Sequence, residues 1–371
     1  MAPYNWQQAA WPDFCFDPAC LVKPAYEFAG QMGKATGQFE LLPDTVREEV
    51  LIDVLVSEAI KTSAIEGEFI SRQDVVSSLK RNLGLMGNWP YSRDKRSEGM
   101  AQLLVLSRTT FDQPLSEQML FDWHSLLMKG SHGIAVGRWR IHPEPMQVIS
   151  GTIGKEQVHF EAPPSADVPA EMSRFIDWFN RTAPDRPDAI INPLVRAAIA
   201  HLYFETIHPF EDGNGRIGRV LAEKALSQTV GQPVLLSLSK TIDADKNAYY
   251  TALQRGQRSN EITDWLTYFA DVILTAQADF QITLRFVLQK SRFFDTHQDS
   301  LNERQRKVIA RMFDEGPGGF EGGMNARKYI SISKTSKATA TRDLQDLVEK
   351  QIVTPLGGGR SSRYQLNLGE R

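Results

Sequence analysis

Residues 191–228, INPLVRAAIAHLYFETIHPFEDGNGRIGRVLAEKALSQ, constrain the fold of this 371-residue chain more than any other stretch. Leu194, Ala198, Leu202 and Phe204 recur at helical spacing, which predicts a helix over about 192–207. Pro209 cannot continue it, because proline lacks the N–H and clashes with the preceding turn. Gly213, Gly215 and Gly218 then open a second helix, expected over about 215–229. Between the two runs sit a histidine, two carboxylates, an asparagine and two arginines beside almost bare backbone.

These residue types suit one kind of chemistry. A glycine-rich loop that feeds a helix N-terminus offers free N–H groups and a positive dipole end, which attract an anion. Arg216 and Arg219 can clamp phosphate oxygens as bidentate forks. Asp212 is a hard oxygen ligand suited to Mg²⁺. His208, of a type that titrates near pH 6.5, suits proton abstraction from a hydroxyl. The set describes phosphoryl or nucleotidyl transfer from a polyphosphate. Glu211 is expected to be merely solvated. His201, Glu205 and His208 share a helix face, but they form neither H-E-x-x-H nor H-x-x-E-H, and no other ligand cluster supports zinc. His201 is therefore expected as a hydrogen-bonded core residue.

Elsewhere the chain reads as mainly α. Val46, Val50, Leu51, Val54, Leu55 and Ala59 mark one helical face, with Asp44 as its N-cap and a stop near Gly67. Further helices are expected at about 72–84, 94–108, 115–129, 166–181, 243–256 and 261–290. Residues 137–164 alternate around a Gly-rich centre and predict a β-hairpin. Residues 1–23 read as an irregular aromatic strap, and 291–301 as a linker. With Cys15 and Cys20 as the sole cysteines, no disulfide scaffold or zinc site is expected. No apolar run of about 18 residues and no basic-then-apolar leader is present, so the expectation is a cytoplasmic protein without membrane contact.

The segment His208-Pro-Phe-Glu-Asp212-Gly-Asn-Gly-Arg-Ile-Gly-Arg219 resembles the Fic family signature, H-P-F-x-[DE]-G-N-G-R-x-x-R, at every fixed position. The resemblance implies a Fic-type helical core over 41–290 that transfers AMP from ATP to a Ser, Thr or Tyr hydroxyl of a target protein. It implies His208 as general base, Asp212 as the Mg²⁺ ligand, and Gly213, Asn214 and Gly215 as the α-phosphate cradle. Arg216 would hold the β-phosphate and Arg219 the γ-phosphate. Tyr249 and Tyr250 resemble the family's paired tyrosines beside adenine, while Gln257 stands where some relatives carry an asparagine. The hairpin at about 140–162, led by Gly137-Arg-Trp-Arg140, resembles the flap that docks the target as an added strand.

Thr62-Ser-Ala-Ile-Glu66-Gly67, on the helix expected over about 45–68, resembles the family's inhibitory motif. A Glu66 carboxylate paired with Arg219 would occupy the guanidinium that the γ-phosphate needs. Residues 1–40 resemble an N-terminal extension of one bacterial Fic subgroup. Residues 291–371 look like a winged helix-turn-helix (α+β) domain, with Ser336, Lys337, Thr339, Thr341, Arg342, Arg360 and Arg363 as candidate DNA contacts. Residues 301–371 carry 13 Lys+Arg against 8 Asp+Glu, whereas the rest of the chain carries 29 against 37, so only the tail favours DNA. The alternatives left open are a DNA-binding regulator with a nucleotide-sensing core, transfer of another phosphate-containing group, and removal of AMP. A homodimer is a further partner state compatible with the sequence.

Overall fold

In the computed structural model, which describes residues 3–85, 87–150, 157–316, 318–320, 322–357 and 362–368, the chain divides into two compact units. One comprises residues 1–37 and 51–280, the other residues 38–50 and 281–371.

The N-terminal strap is ordered by short 3-10 turns at Asn5–Gln7 and Pro18–Leu21. Asn5 is fully buried, and its amide donates to Thr206 Oγ1 and to the Gly256 carbonyl. Trp6 Nε1 donates to the Glu161 carbonyl at 2.8 Å, so the strap joins two parts of the unit that lie far apart in sequence. No helical signal is read before Asp44, yet α1 spans Val22–Glu40. Glycines at 30, 33 and 37 dilute its pattern, and only Phe28 and Ala35 are buried.

Helix α2 (Asp44–Ile65) buries the predicted face through Val46, Val50, Val54, Leu55 and Ala59. Asp44 lies inside its first turn rather than capping it, because the N–H groups of Val46 and Arg47 bond to the Pro43 carbonyl. Helices α3 (Arg72–Asn82), α4 (Lys95–Thr109) and α5 (Glu117–Leu127) start at Ser71, Asp94 and Ser116, whose side chains accept from the first turns. Strands β1 (Gln147–Ser150) and β2 (Gln157–Glu161) pair antiparallel, with Gln147 opposite Glu161 and a bulge between Val148 and Ile149. The expected hairpin is thus narrower than 137–164.

Helix α6 (Val168–Arg181) leads to α7 (Pro193–Ile207), which is buried all round from Leu194 to Ile207. A helix without a polar face must be central, and α7 packs directly along α8 (Asn214–Val230). The helix expected over 243–256 is α10 (Lys246–Gly256), and a short helix not read from the sequence, α9 (Leu238–Ala244), precedes it. Asp245 separates them, leaving helical geometry so that its side chain can cap α10 at Ala248 N–H. Helix α11 (Thr263–His297) runs through most of the expected linker, since no glycine or proline interrupts it.

In the second unit, α12 (Glu303–Asp314) carries Val308, Ile309 and Met312 inward as predicted. Helices α13 (Ala326–Ser333) and α14 (Lys337–Glu349) flank a turn at Lys334, which adopts a left-handed φ of 54°. Strands β3 (Val353–Leu356) and β4 (Arg363–Leu366) close the unit as an antiparallel hairpin. Arg360 lies outside the described residues. The architecture is mainly helical with two small two-stranded hairpins among the described residues. No described helix is long and apolar enough to cross a membrane.

Candidate active site

The candidate catalytic loop exists because α7 stops at Ile207 and α8 starts at Asn214. His208 turns the chain in a left-handed conformation, φ 51° and ψ 58°, and Gly213 repeats the turn at φ 83°. The Asn214 amide staples the loop shut. Its oxygen accepts from Phe210 N–H at 2.9 Å and its nitrogen donates to the Phe210 carbonyl at 2.8 Å. The Asn214 side chain therefore holds the loop's shape, and only its main-chain N–H is left to face an anion.

Two residues outside the signature, Arg140 and His124, complete the scaffold. Buried Arg140 donates through Nε to the His208 carbonyl at 2.8 Å and through Nη2 to the Ile207 carbonyl at 3.3 Å. Its main-chain N–H bonds to the Pro209 carbonyl at 2.9 Å. His124 stacks on Phe210 at 4.0 Å between centroids, and its Nδ1 accepts from Gly137 N–H at 2.9 Å. Burial lowers its pKa, so the ring is neutral and its proton sits on Nε2, which donates to the Asp212 carbonyl at 3.2 Å. Glu211 is not merely solvated: its Oε2 accepts from Ala135 N–H at 2.9 Å. The G-R-W-R stretch signals a lead-in by resemblance, but nothing local to it reveals that Arg140 reaches the loop carbonyls.

On the anion side, the first-turn N–H groups of α8 have no intrahelical acceptor. The Asp212 carboxylate is 53% exposed, and its Oδ1 accepts from Gly213 N–H at 2.6 Å and from Arg216 Nη2 at 3.2 Å. Arg219 is fully buried. Its Nε donates to Thr62 Oγ1 at 2.8 Å, and its Nη2 to the Thr62 carbonyl at 3.1 Å and to Glu66 Oε1 at 2.8 Å. Burial alone would depress this guanidinium's pKa, but the Glu66 carboxylate more than offsets it. A Cβ at Gly215 would collide with Glu66 Oε1, so the bare position admits the carboxylate.

Gly67, at φ 78°, turns the chain after α2 and brings a second carboxylate to the site. Glu68 Oε2 accepts from Arg216 Nη1 at 2.7 Å. Lys246 Nζ donates to the Ala64 carbonyl at 2.7 Å and pins the end of α2.

His208 is 15% exposed. Burial, with the nearby Arg140 charge, lowers its pKa to about 4, so it is a neutral base at physiological pH. His201 is buried beneath it with Nε2 2.9 Å from the Tyr249 hydroxyl, as a core residue. Tyr249 is itself 2% exposed and belongs to the core, whereas Tyr250 is 37% exposed and can present its ring to a base. Gln257 is also buried, and its amide donates to the Glu205 carbonyl at 3.2 Å.

Among the described residues no group of three or more His, Cys, Asp or Glu could hold a metal ion. A solvent-facing Asp212 beside the open end of α8 does fit Mg²⁺ delivered with a polyphosphate, an ion that keeps its waters and needs one or two carboxylates.

A model of the Fic/DOC family matches residues 114–226, the segment that contains His124, Arg140 and the whole catalytic loop. This segment is a Fic/DOC family domain. Its residues 4–85 match a domain of unknown function, DUF4172, which spans the strap and the Glu66 segment of this Fic protein. Among curated relatives, Protein adenylyltransferase Fic of Drosophila yakuba is 26% identical over 192 residues, 48% of this chain and 36% of the relative. Protein adenylyltransferase fic-1 of Caenorhabditis briggsae is 30% identical over 137 residues, 35% of this chain and 25% of the relative. The Fic protein therefore spans about a third or less of these relatives' length. A Fic family protein from Desulfovibrio desulfuricans has a similar fold, with a TM-score of 0.55 and 21% identity over 97% of this chain and 99% of that one. Fic-1 from C. elegans superposes with a TM-score of 0.52 and 20% identity over 71% of this chain and 73% of that one.

Proposed function

We propose that this Fic protein transfers AMP from ATP to a hydroxyl side chain of a target protein and rests in an inhibited state. The observation that carries this reading is the buried Arg219 guanidinium, held by Thr62 and Glu66 at the end of a loop that opens on a neutral His208. A buried cation has no structural need to stand beside an open helix N-terminus, and a polyphosphate supplies one.

In the reaction, His208 takes the proton of the target hydroxyl, whose oxygen attacks the α-phosphorus. The bond to the bridging oxygen breaks, and pyrophosphate leaves against Arg216 and Arg219. The N–H groups of Asn214 and Gly215 face the α-phosphate charge. Magnesium held by Asp212 would supply further charge neutralisation there. Tyr250 offers its exposed ring to adenine. The β1–β2 hairpin offers main-chain groups for strand addition by the target.

The test is mass spectrometry of the protein incubated with ATP and Mg²⁺. Glu66→Gly should acquire AMP on itself or an added target at least about tenfold faster than wild type, and His208→Ala should acquire none. An unchanged rate in Glu66→Gly would sink the brake, and labelling in His208→Ala would sink the base.

A second reading concerns the C-terminal unit. Helix α14 buries Ala340, Leu344 and Leu347 while Lys337, Thr341 and Arg342 are exposed, as Arg363 is on the hairpin. We propose that this face contacts DNA phosphates. Ser336, also exposed, caps α14 at Thr339 N–H, so its hydroxyl is already engaged. A gel shift with the full chain should weaken steeply with salt and be lost in Lys337→Ala/Arg342→Ala. A salt-independent shift, or no shift, contradicts DNA contact by this face.

A further inference from the structure

Behind His208 lies a buried group that the reaction outlined above does not use. Glu205 sits on the last turn of α7 and is 4% exposed. Its Oε2 is 3.8 Å from His208 Nδ1, about 1 Å beyond hydrogen-bond length. Glu205 Oε1, His208 Nδ1 and His201 Nδ1 are all buried without a well-formed hydrogen bond, His208 having only the Glu205 main chain and His201 only the Gly218 main chain beside it. Such unsatisfied atoms are costly and call for an explanation. The space is made by Gly218, where a Cβ would collide with Glu205 Oε1 and crowd His201 Nδ1.

We propose that Glu205 is the positioning residue of His208, engaging the Nδ1 edge of the imidazole so that Nε2 faces the acceptor hydroxyl, and that Glu66 opposes this from beside Arg219. The inference rests on the adenylyltransferase reading for its role in turnover, but not for the contact itself.

The chemistry follows from proton positions on a neutral imidazole. A neutral Glu205 carboxyl donates its O–H to Nδ1, so the ring proton sits on Nε2 and no lone pair faces the acceptor. On ionisation, the carboxyl proton passes to Nδ1 and the Nε2 proton leaves to solvent. Nδ1–H then donates to the carboxylate, and Nε2 carries the lone pair that removes the hydroxyl proton.

The charges around Glu205 decide between these states. Burial and the Glu66 carboxylate push its pKa up to about 8, against the pull of Arg219. His201, from α7, stays neutral because burial lowers its pKa to about 3. From α10, Tyr249 and Tyr250 face the same cluster as neutral phenols, both raised by burial. His208 additionally feels Arg140, the Glu205 main chain, Glu66 and Asp212. Resting protein at neutral pH thus holds Glu205 protonated and His208 in the wrong tautomer. Removing the Glu66 charge favours the ionised state, so the brake acts on the base as well as on Arg219.

The experiment is histidine ¹⁵N long-range NMR on the full chain without nucleotide, which reads the His208 tautomer directly. In wild type the Nδ1–H tautomer should grow as pH rises from 6 to 9. In Glu66→Gly the midpoint should move to lower pH by about half a unit or more. In Glu205→Gln the pH dependence should vanish, and in a Glu66→Gly background it should lower kcat about tenfold with KM for ATP unchanged. A His208 tautomer that ignores pH, or behaves alike with and without Glu205, overturns the proposal. Should Glu205→Gln not fold, the shift between wild type and Glu66→Gly decides, since both retain Glu205. A tautomer switch without AMP transfer in Glu66→Gly would uphold the contact and reject the adenylyltransferase reading instead.

Discussion

Arg216 Nη1 donates to Glu68 Oε2 at 2.7 Å. Glu68 follows Gly67 in the segment that presents Glu66 to Arg219, so one turn after α2 pairs with both arginines at the start of α8. On the proposed adenylyltransferase reading, Glu66 alone would block one phosphate position, and with Glu68 both guanidinium groups proposed to hold the triphosphate are engaged.

Because Glu68 is 29% exposed, its ion pair is partly screened and weaker than a buried one. Glu68→Gln in a Glu66→Gly background should lower KM for ATP about three- to tenfold, roughly 1 kcal/mol of competing interaction. Initial rates at varied ATP measure this, and an unchanged KM would show that Arg216 does not need to be released.

Asn214→Ala should lose both bonds to Phe210 and leave two main-chain groups of a buried loop without partners. The expected cost is about 2–4 kcal/mol of stability, from an unsatisfied N–H and carbonyl. Thermal unfolding and AMP transfer should fall together, since the loop and the cradle are one structure. A variant as stable as wild type would show that the amide does not hold the loop.

Glu205 makes stability depend on pH in a definite direction. Its folded pKa is raised from 4.5 to about 8, so the native state retains a proton that the unfolded chain has released. The contribution is present below the unfolded value and is lost as pH rises through 8. Relative to Glu205→Gln, which stays neutral, the wild-type Tm should therefore decline between pH 5 and pH 9. Parallel melting curves across that range check the sign.

Gly218→Ala would drive a methyl into Glu205 Oε1 and to 3.1 Å from His201 Nδ1. With fixed helices on both sides, overpacking should cost about 1–3 kcal/mol. The Tm should fall, and the His208 tautomer should change with it if Glu205 is displaced. The same substitution at Gly30 meets nothing within 4 Å and should leave the Tm within a degree or two of wild type.

The sequence by itself determined the loop between α7 and α8 and the residues it carries. Pro209 ends a helix, glycines bare the backbone of the next, and a base, a carboxylate and two guanidinium groups stand in order between them. All of these are instructions carried within a turn or two of chain, so spacing reveals them. The Thr62–Gly67 motif was legible for the same reason, and so were the helical core and the flap hairpin.

Tertiary structure alone decided which groups meet. Glu68 and Arg216 are 148 residues apart, and nothing near either selects the other among many equivalent charges. Arg140 reaches the loop carbonyls only because the chain after α5 passes under them, and His124 carries its proton on Nε2 only because Gly137 occupies Nδ1. Tyr249 and Tyr250 are identical neighbours in sequence, yet one lies in the core and the other at the surface. Burial sets the proton on Glu205 in the same way. Local sequence specifies backbone geometry, whereas charge pairing and protonation depend on which surfaces lose their water when the helices pack.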